Sequence, residues 1–304
     1  MRFSDRAWWP SLATVVVAGA VVLGGDVDDS VDAGAAFEVW GDVVRDVDQF
    51  GLALARVSTE EEMRIGRELA AAWNTAAASP WQAYVDGVGR GLTAHVRRPA
   101  IAYRFHVLAD RQVNAFALPG GRVFVTTGML EFLESEAELA FVLGHEIAHV
   151  DQRHAIERLA ARLALERIGL DDLAGLVDLA PALVRAGYRK YQELEADLAG
   201  LHLGMAAGYD PDAAVAPFRR LEARAPTPSR PARRNPLGEA AGAVFEGLGG
   251  YFDSHPVTPE RIRRLEQLIA TRRWWGRARP GYRGVENHRQ KVPRADREFP
   301  GEAD

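Results

Sequence analysis

The sequence predicts an α+β domain, mainly α, with one small β-sheet beside a long buried helix. Three observations predict it. Leu139, Val142, Leu143, Ile147 and Val150 recur at helical spacing in SEAELAFVLGHEIAHVDQRH, and no proline interrupts them, so this stretch reads as a helix built into a core. Residues 101–109, IAYRFHVLA, alternate like a strand, and VNAFALPGGRVFVTT (113–127) reads as two short strands around a Pro-Gly-Gly turn. Helical stretches fill most of the rest, over 60–76, 81–96 and 185–207.

Composition narrows the classes. A chain of 304 residues, 47% of them apolar, buries a full core and suggests one catalytic-sized domain with appendages, or at most two domains. A net charge of -5 and a pI near 6.0 argue against a nucleic-acid partner, which would normally meet a basic domain. Cysteine is absent. That excludes disulfides and thiolate ligands, so any zinc must be held by His, Asp or Glu.

Taken in order, residues 1–25 read as a membrane-directed segment. Arg2 and Arg6 precede the run LATVVVAGAVVLGG, and Asp26, Asp28 and Asp29 follow it. This charge order favours a body outside the cytoplasm, either anchored by the segment or released after its cleavage. An acidic linker follows over 26–58. The folded domain is expected over 59–271, starting where Ser58 or Thr59 caps a helix with Glu60, Glu61 and Glu62 in its first turn. Residues 226–243 are a proline- and arginine-rich break, and Thr258 and Pro259 open another helix. The tail 272–304 reads as polar and disordered.

The chemistry centres on His145, Glu146 and His149. Two imidazoles at i and i+4 lie one turn apart and can bind one metal ion, and Glu146 beside them is placed to take a proton from water. Imidazoles and a carboxylate on a largely apolar helix need a reason to be there. The helix is expected to continue past His154 toward Ile168, which turns His154 about 140° away from His149 and makes it a poor ligand, a surface residue or one standing behind a ligand. Such a site needs a third protein ligand. Glu193 and Asp197, four residues apart in YQELEADLAGLHL, share a helical face; either can bind the metal while the other holds a histidine ring from behind. Glu195 points elsewhere, and His202 is a weaker alternative. In SHPVTPERIRRL, His255 precedes the helix cap by three residues, where a loop can bring it over the metal.

These four blocks together resemble the HtpX-like and CAAX-prenyl-protease superfamily of zinc metalloendopeptidases, nearest in pattern to its bacterial periplasmic and mitochondrial Oma-type members. The resemblance covers roughly residues 60 to 270. It implies a zincin-like fold and one zinc ion on His145, His149 and Glu193, with Glu146 as the base and Asp197 behind a ligand histidine. It maps a strand beside the substrate cleft onto Asn114, Ala115 and Phe116, and a histidine tied to transition-state stabilisation or to control of the metal's open position onto His255, with Arg261 following. For a developing oxyanion, His255 is the first candidate donor and Arg261 the second. One departure is Lys190, which stands where many members carry arginine.

The function expected is hydrolysis of internal peptide bonds in protein or peptide substrates, in extracytoplasmic or membrane-associated quality control, with membrane association through the N-terminus. The alternative is a catalytically silent zinc-binding scaffold or chaperone of the same fold. An intact Glu146 argues against it, because a structural zinc site has no use for a base.

Overall fold

The computed structural model describes residues 57–73, 79–166, 176–224, 251, 254–256, 258–274 and 281–302. All belong to one unit, Leu52–Asp304. The segment 1–25, the linker as far as residue 56 and the break at 226–243 lie outside the described residues. Ser58 opens the first helix, its hydroxyl accepting from the Glu61 N–H at 3.1 Å. Helix α1 is Thr59–Ala70 and α2 is Gln82–Thr93. Of the three acids in the first turn of α1, Glu62 is fully buried. It accepts from Arg98 at 2.6 Å and from the Gly120 N–H at 3.2 Å, so it ties α1 to the turn that feeds the sheet.

That sheet has three strands, β1 (Arg104–Leu108), β2 (Ala115–Leu118) and β3 (Arg122–Thr126), in the order β1-β3-β2. Strand β3 runs parallel to β1 and antiparallel to β2. Pro119–Gly121 makes the turn between β2 and β3. Gly120 has φ +71°, and a Cβ there would meet the Met63 Cα at 2.4 Å, so only glycine fits. Alternation sorts the strands into two faces. Phe105, Val107, Ala115, Ala117, Val123 and Val125 join the main core. On the other face His106, Phe124 and Phe116 are cross-strand neighbours whose rings stack at 4.8 and 4.9 Å, with Trp73 4.8 Å from Phe116.

Thr126 caps α3 (Thr127–Phe132), and Ser135 caps α4 (Glu136–Asp151), accepting from the Glu138 N–H at 3.2 Å. Every residue of α4 from Glu136 to Val150 is buried, as expected of a helix that packs on all sides. The expected run past His154 does not occur. Arg153 takes φ +67°, which ends α4, and α5 (His154–Glu166) starts in a new direction. Helices α6 (Leu176–Arg185), α7 (Lys190–Ala206), α8 (Ala216–Arg224), α9 (Pro259–Trp274) and α10 (Val285–Gln290) complete the described helices. Among the described residues no helix is long and apolar enough to cross a membrane. The result is a mainly helical domain with one small sheet, consistent with a zincin-like fold.

Helices α4 and α7 cross backbone to backbone. A Cβ on Gly200 would lie 2.8 Å from the His145 nitrogen, and one on Gly144 would lie 3.1 Å from the Gly200 carbonyl. Gly200→Ala therefore forces the helices apart, at an expected cost of about 1–3 kcal/mol. It should also weaken zinc binding, since Glu193 and Asp197 ride on α7. Thermal unfolding and a zinc titration check both effects.

The tail is the clearest correction to the sequence reading. Residues 281–302, expected to be disordered, fold against the start of α4. The carbonyls of Gly284 and Arg283 accept from the N–H groups of Glu136 and Ala137, each at 3.0 Å, two of the donors that a helix leaves unpaired at its first turn. Tyr282 donates its N–H to Gly208 at 2.9 Å. Asn287 and His288 are buried; the Asn287 amide donates to the Val292 and Arg297 carbonyls, and His288 Nε2 lies 2.8 Å from the Leu130 carbonyl. Polar composition suggested disorder, but these polar groups satisfy backbone atoms.

Glu136 sits inside this junction, fully buried, accepting from the Tyr209 hydroxyl at 2.8 Å and the Arg294 N–H at 2.9 Å. Burial, partly offset by those bonds, pushes its carboxyl from 4.5 up to about 7. Between those values the folded chain holds a proton that the unfolded chain releases. The contribution is thus fully present below about pH 4.5 and lost as pH rises toward 7. Glu136→Gln removes this dependence, so its stability relative to wild type should grow by up to about 3 kcal/mol across that window. Thermal unfolding of both proteins as a function of pH checks the sign.

Candidate metal centre

Helix α4 presents His145 and His149 one turn apart, with their Nε2 atoms 3.1 Å from each other. The crossing of α4 and α7 then sets Glu193 beside them, its carboxylate oxygens 3.5 Å from His145 Nε2 and 3.4 Å from His149 Nε2. His255, just before α9, completes the group. Its Nδ1 is 2.9 Å from Glu193 and 3.2 Å from His145 Nε2. One ligand atom from each of His145, His149, Glu193 and His255 lies within 4.8 Å of all the others, and all four residues are buried. His202 is not among them.

The two carboxylates on the shared face of α7 occupy different places. Glu193 faces the converging nitrogens, whereas Asp197 meets the far side of His145, 3.1 Å from Nδ1. A donor bond there fixes the ring's orientation and aims Nε2 into the group. Arg261 holds both acids. Its Nε and one terminal nitrogen donate to Asp197 at 2.8 and 2.7 Å, and the other terminal nitrogen is 2.7 Å from Glu193 and donates to the Pro256 carbonyl at 3.0 Å. Its donors are therefore committed to holding acids in place rather than pointing toward an oxyanion.

Electrostatics follow from this packing. Burial opposes charge on Asp197, but Arg261 outweighs it and holds the carboxyl below its ordinary value. Glu193 is likewise buried, and His255, with bonds from His145 and His149, holds it far below the carboxylate range. Burial pushes His145 down, yet Asp197 and Glu193 raise it to about 9, while burial sends His149 well below its ordinary value. Two ionised carboxylates among imidazoles in a dry site favour a cation.

Glu146 lies beside this group, fully exposed to neither solvent nor partner. It is completely buried, and neither carboxylate oxygen has a hydrogen-bond partner among the described residues; the nearest basic atom is His255 Nε2 at 3.5 Å. A buried carboxylate without a hydrogen bond is costly and needs a reason to remain.

The rings are also held from behind, by His154 and by two tyrosines that the motifs did not single out. Because Arg153 turns the chain, His154 folds back onto His149, Nδ1 to Nδ1 at 3.1 Å, and its Nε2 is 3.1 Å from Glu195. Tyr188 stacks on His149 at 3.6 Å with planes 7° apart, and Tyr251 stacks on His255 at 4.6 Å. The three strand residues expected at a cleft do not share one side. The Asn114 carbonyl accepts from Thr126, Ala115 lies in the core, and Phe116 stacks on the opposite face.

The donor set fits zinc. The Nε2 atoms of His145 and His149 converge at 3.1 Å beside the Glu193 carboxylate, and imidazole nitrogens with a carboxylate are ligands that zinc takes. The buried cluster of His145, His149, Glu193 and His255 is geometrically consistent with a single zinc site.

Known proteins are similar to this chain in sequence. The chain is 32% identical over 199 residues to the mitochondrial metalloendopeptidase OMA1 of Schizosaccharomyces pombe, covering 62% of this chain and 53% of that protein. It is 30% identical over 189 residues to the protein of the same name from Arabidopsis thaliana, covering 60% of this chain and 34% of that one. It is 27% identical over 165 residues to the beta-barrel assembly-enhancing protease of Escherichia coli, covering 49% and 34%. The chain thus spans about a third to a half of the length of these relatives. Residues 80–269 match the sequence model of peptidase family M48, a span that contains all four members of the cluster. With that match over more than half its length, the chain belongs to peptidase family M48.

Proposed function

We propose that the chain is a zinc-dependent metalloendopeptidase that cleaves internal peptide bonds of proteins. The observation that carries this reading is the unpartnered, buried Glu146 carboxylate beside the His145, His149, Glu193 and His255 cluster. In this reading His145, His149 and Glu193 hold the metal, Asp197 fixes the His145 ring, and Arg261 fixes Glu193 and Asp197. Bound zinc supplies a Lewis acid for the scissile carbonyl and lowers the pKa of water. Glu146 takes the proton of the attacking water and passes it to the leaving amine. His255 donates to the developing oxyanion through Nε2, which has no hydrogen-bond partner among the described residues, while its Nδ1 faces Glu193. Strand β2, at the sheet's edge, pairs with an extended substrate.

Relatives of both kinds, mitochondrial OMA1 proteins and bacterial beta-barrel assembly-enhancing proteases, match at 27–32% identity. They support placing the chain near Oma-type and bacterial members, and a role in protein quality control. We place its body outside the cytoplasm and its membrane association in residues 1–25, supported by the charge order around LATVVVAGAVVLGG.

Metal analysis paired with casein hydrolysis tests the reading. About one zinc per chain, with cleavage lost on chelation and restored by zinc, is the expected result. Zinc without cleavage would favour the silent scaffold, and a well-folded chain that takes up no zinc would overturn the proposal.

A further inference from the structure

We propose that Arg158 is a latch on the substrate-binding edge of β2, and that a substrate strand must displace it to reach the site. This rests on the peptidase reading above and adds a control on it.

The edge can be read atom by atom. The Asn114 carbonyl accepts from the Thr126 N–H at 3.0 Å, and Phe116 pairs with Phe124. In an antiparallel ladder alternate residues bond inward, so Val113, Ala115 and Ala117 turn their backbone groups outward. That outer edge is where an extended substrate would pair. The chain itself sits there. Arg158 donates to the Ala117 carbonyl at 3.2 Å, and Tyr251 donates its N–H to the Val113 carbonyl at 3.0 Å.

Arg158 is poorly satisfied where it lies. It is 9% exposed, its Nε has no partner, and among the described residues no carboxylate is paired with it. Its guanidinium is otherwise held by the ring of Tyr188, 3.9 Å from the centroid, and Tyr188 stacks on the cluster's His149 at 3.6 Å. Both cannot fit against one face of that ring, so they take opposite faces. A buried guanidinium with five donors and one acceptor is weakly committed. A substrate N–H can therefore take the Ala117 carbonyl from it. The latch thus joins strand pairing to the packing behind a metal-site histidine.

The test uses the full, zinc-loaded chain carrying Glu146→Gln, so that a fluorescein-labelled casein peptide binds without turnover. Arg158→Met keeps the volume and removes the donors. It should tighten peptide binding about tenfold or more, the worth of one hydrogen bond from a charged donor, and in the Glu146-intact protein lower KM similarly with kcat within about twofold. Arg158→Lys keeps a donor and should bind as the parent does. Independently of any Arg158 substitution, the Arg158 guanidinium N–H signals in a nitrogen-15 NMR spectrum should exchange slowly in the free protein and quickly at peptide saturation. Unchanged or weaker binding by a folded Arg158→Met protein, no binding by either protein, or guanidinium exchange that ignores the peptide overturns the latch. The peptidase reading fails separately, if zinc-loaded wild type leaves casein uncut.

Discussion

Replacing Glu146 with glutamine is expected to lower kcat/KM for casein by about 10³-fold while the zinc content stays unchanged. The size follows from the role, since a positioned base contributes about 10²–10⁴-fold. The clean separation follows from the surroundings. Both Glu146 oxygens lack a hydrogen-bond partner among the described residues, so the amide breaks no bond that holds the fold. Because it also removes a buried carboxylate that has no hydrogen bond, the variant should unfold at the same temperature as wild type or higher. Casein assays, metal analysis and thermal unfolding of the two proteins check the three parts. A large loss of zinc or of stability would mean that Glu146 is a structural residue instead.

Arg261→Ala should produce the largest loss of stability, about 3–5 kcal/mol, as expected when one partner of a buried ion pair is removed. Arg261 is 3% exposed and contacts two carboxylates, Asp197 and Glu193, that are also buried. Without it both acids keep their burial and lose their cation. Zinc affinity should fall about 10–100-fold as well, because Asp197 and Glu193 are no longer held in place. Arg261→Lys should rescue little, since a single ammonium cannot reproduce three directed contacts. Exposed pairs give the contrast. Lys190 and Glu260, 68% and 47% exposed at their side chains, should cost no more than about 1 kcal/mol when broken. Urea unfolding and zinc titration of both proteins make the comparison.

Much of this was legible in the chain. Helix α4 declared itself through five apolar residues at helical spacing, and the hairpin through Pro119, Gly120 and Gly121. His145 and His149 could be paired by the helical repeat alone. The repeat placed Glu193 and Asp197 on one face but could not rank them, because the ranking depends on how α7 crosses α4 at Gly144 and Gly200. Two further features left no local mark. The left-handed backbone at Arg153, at a residue type that rarely adopts it, sets His154 behind His149, a choice between surface and site that the spacing left open. Tyr188 reaches His149 only through tertiary packing, which no periodicity encodes. Polarity misled over 281–302, because a segment that donates and accepts at a helix end looks, in composition alone, like one that meets only water.

The junction between residues 281–302 and the first turn of α4 also sets an order of events. During synthesis His145, His149, Glu193 and His255 all leave the ribosome before Arg283 and Gly284, whose carbonyls accept from Ala137 and Glu136. The opening turn of the helix carrying the first two histidines is therefore closed by a segment made after all four cluster residues.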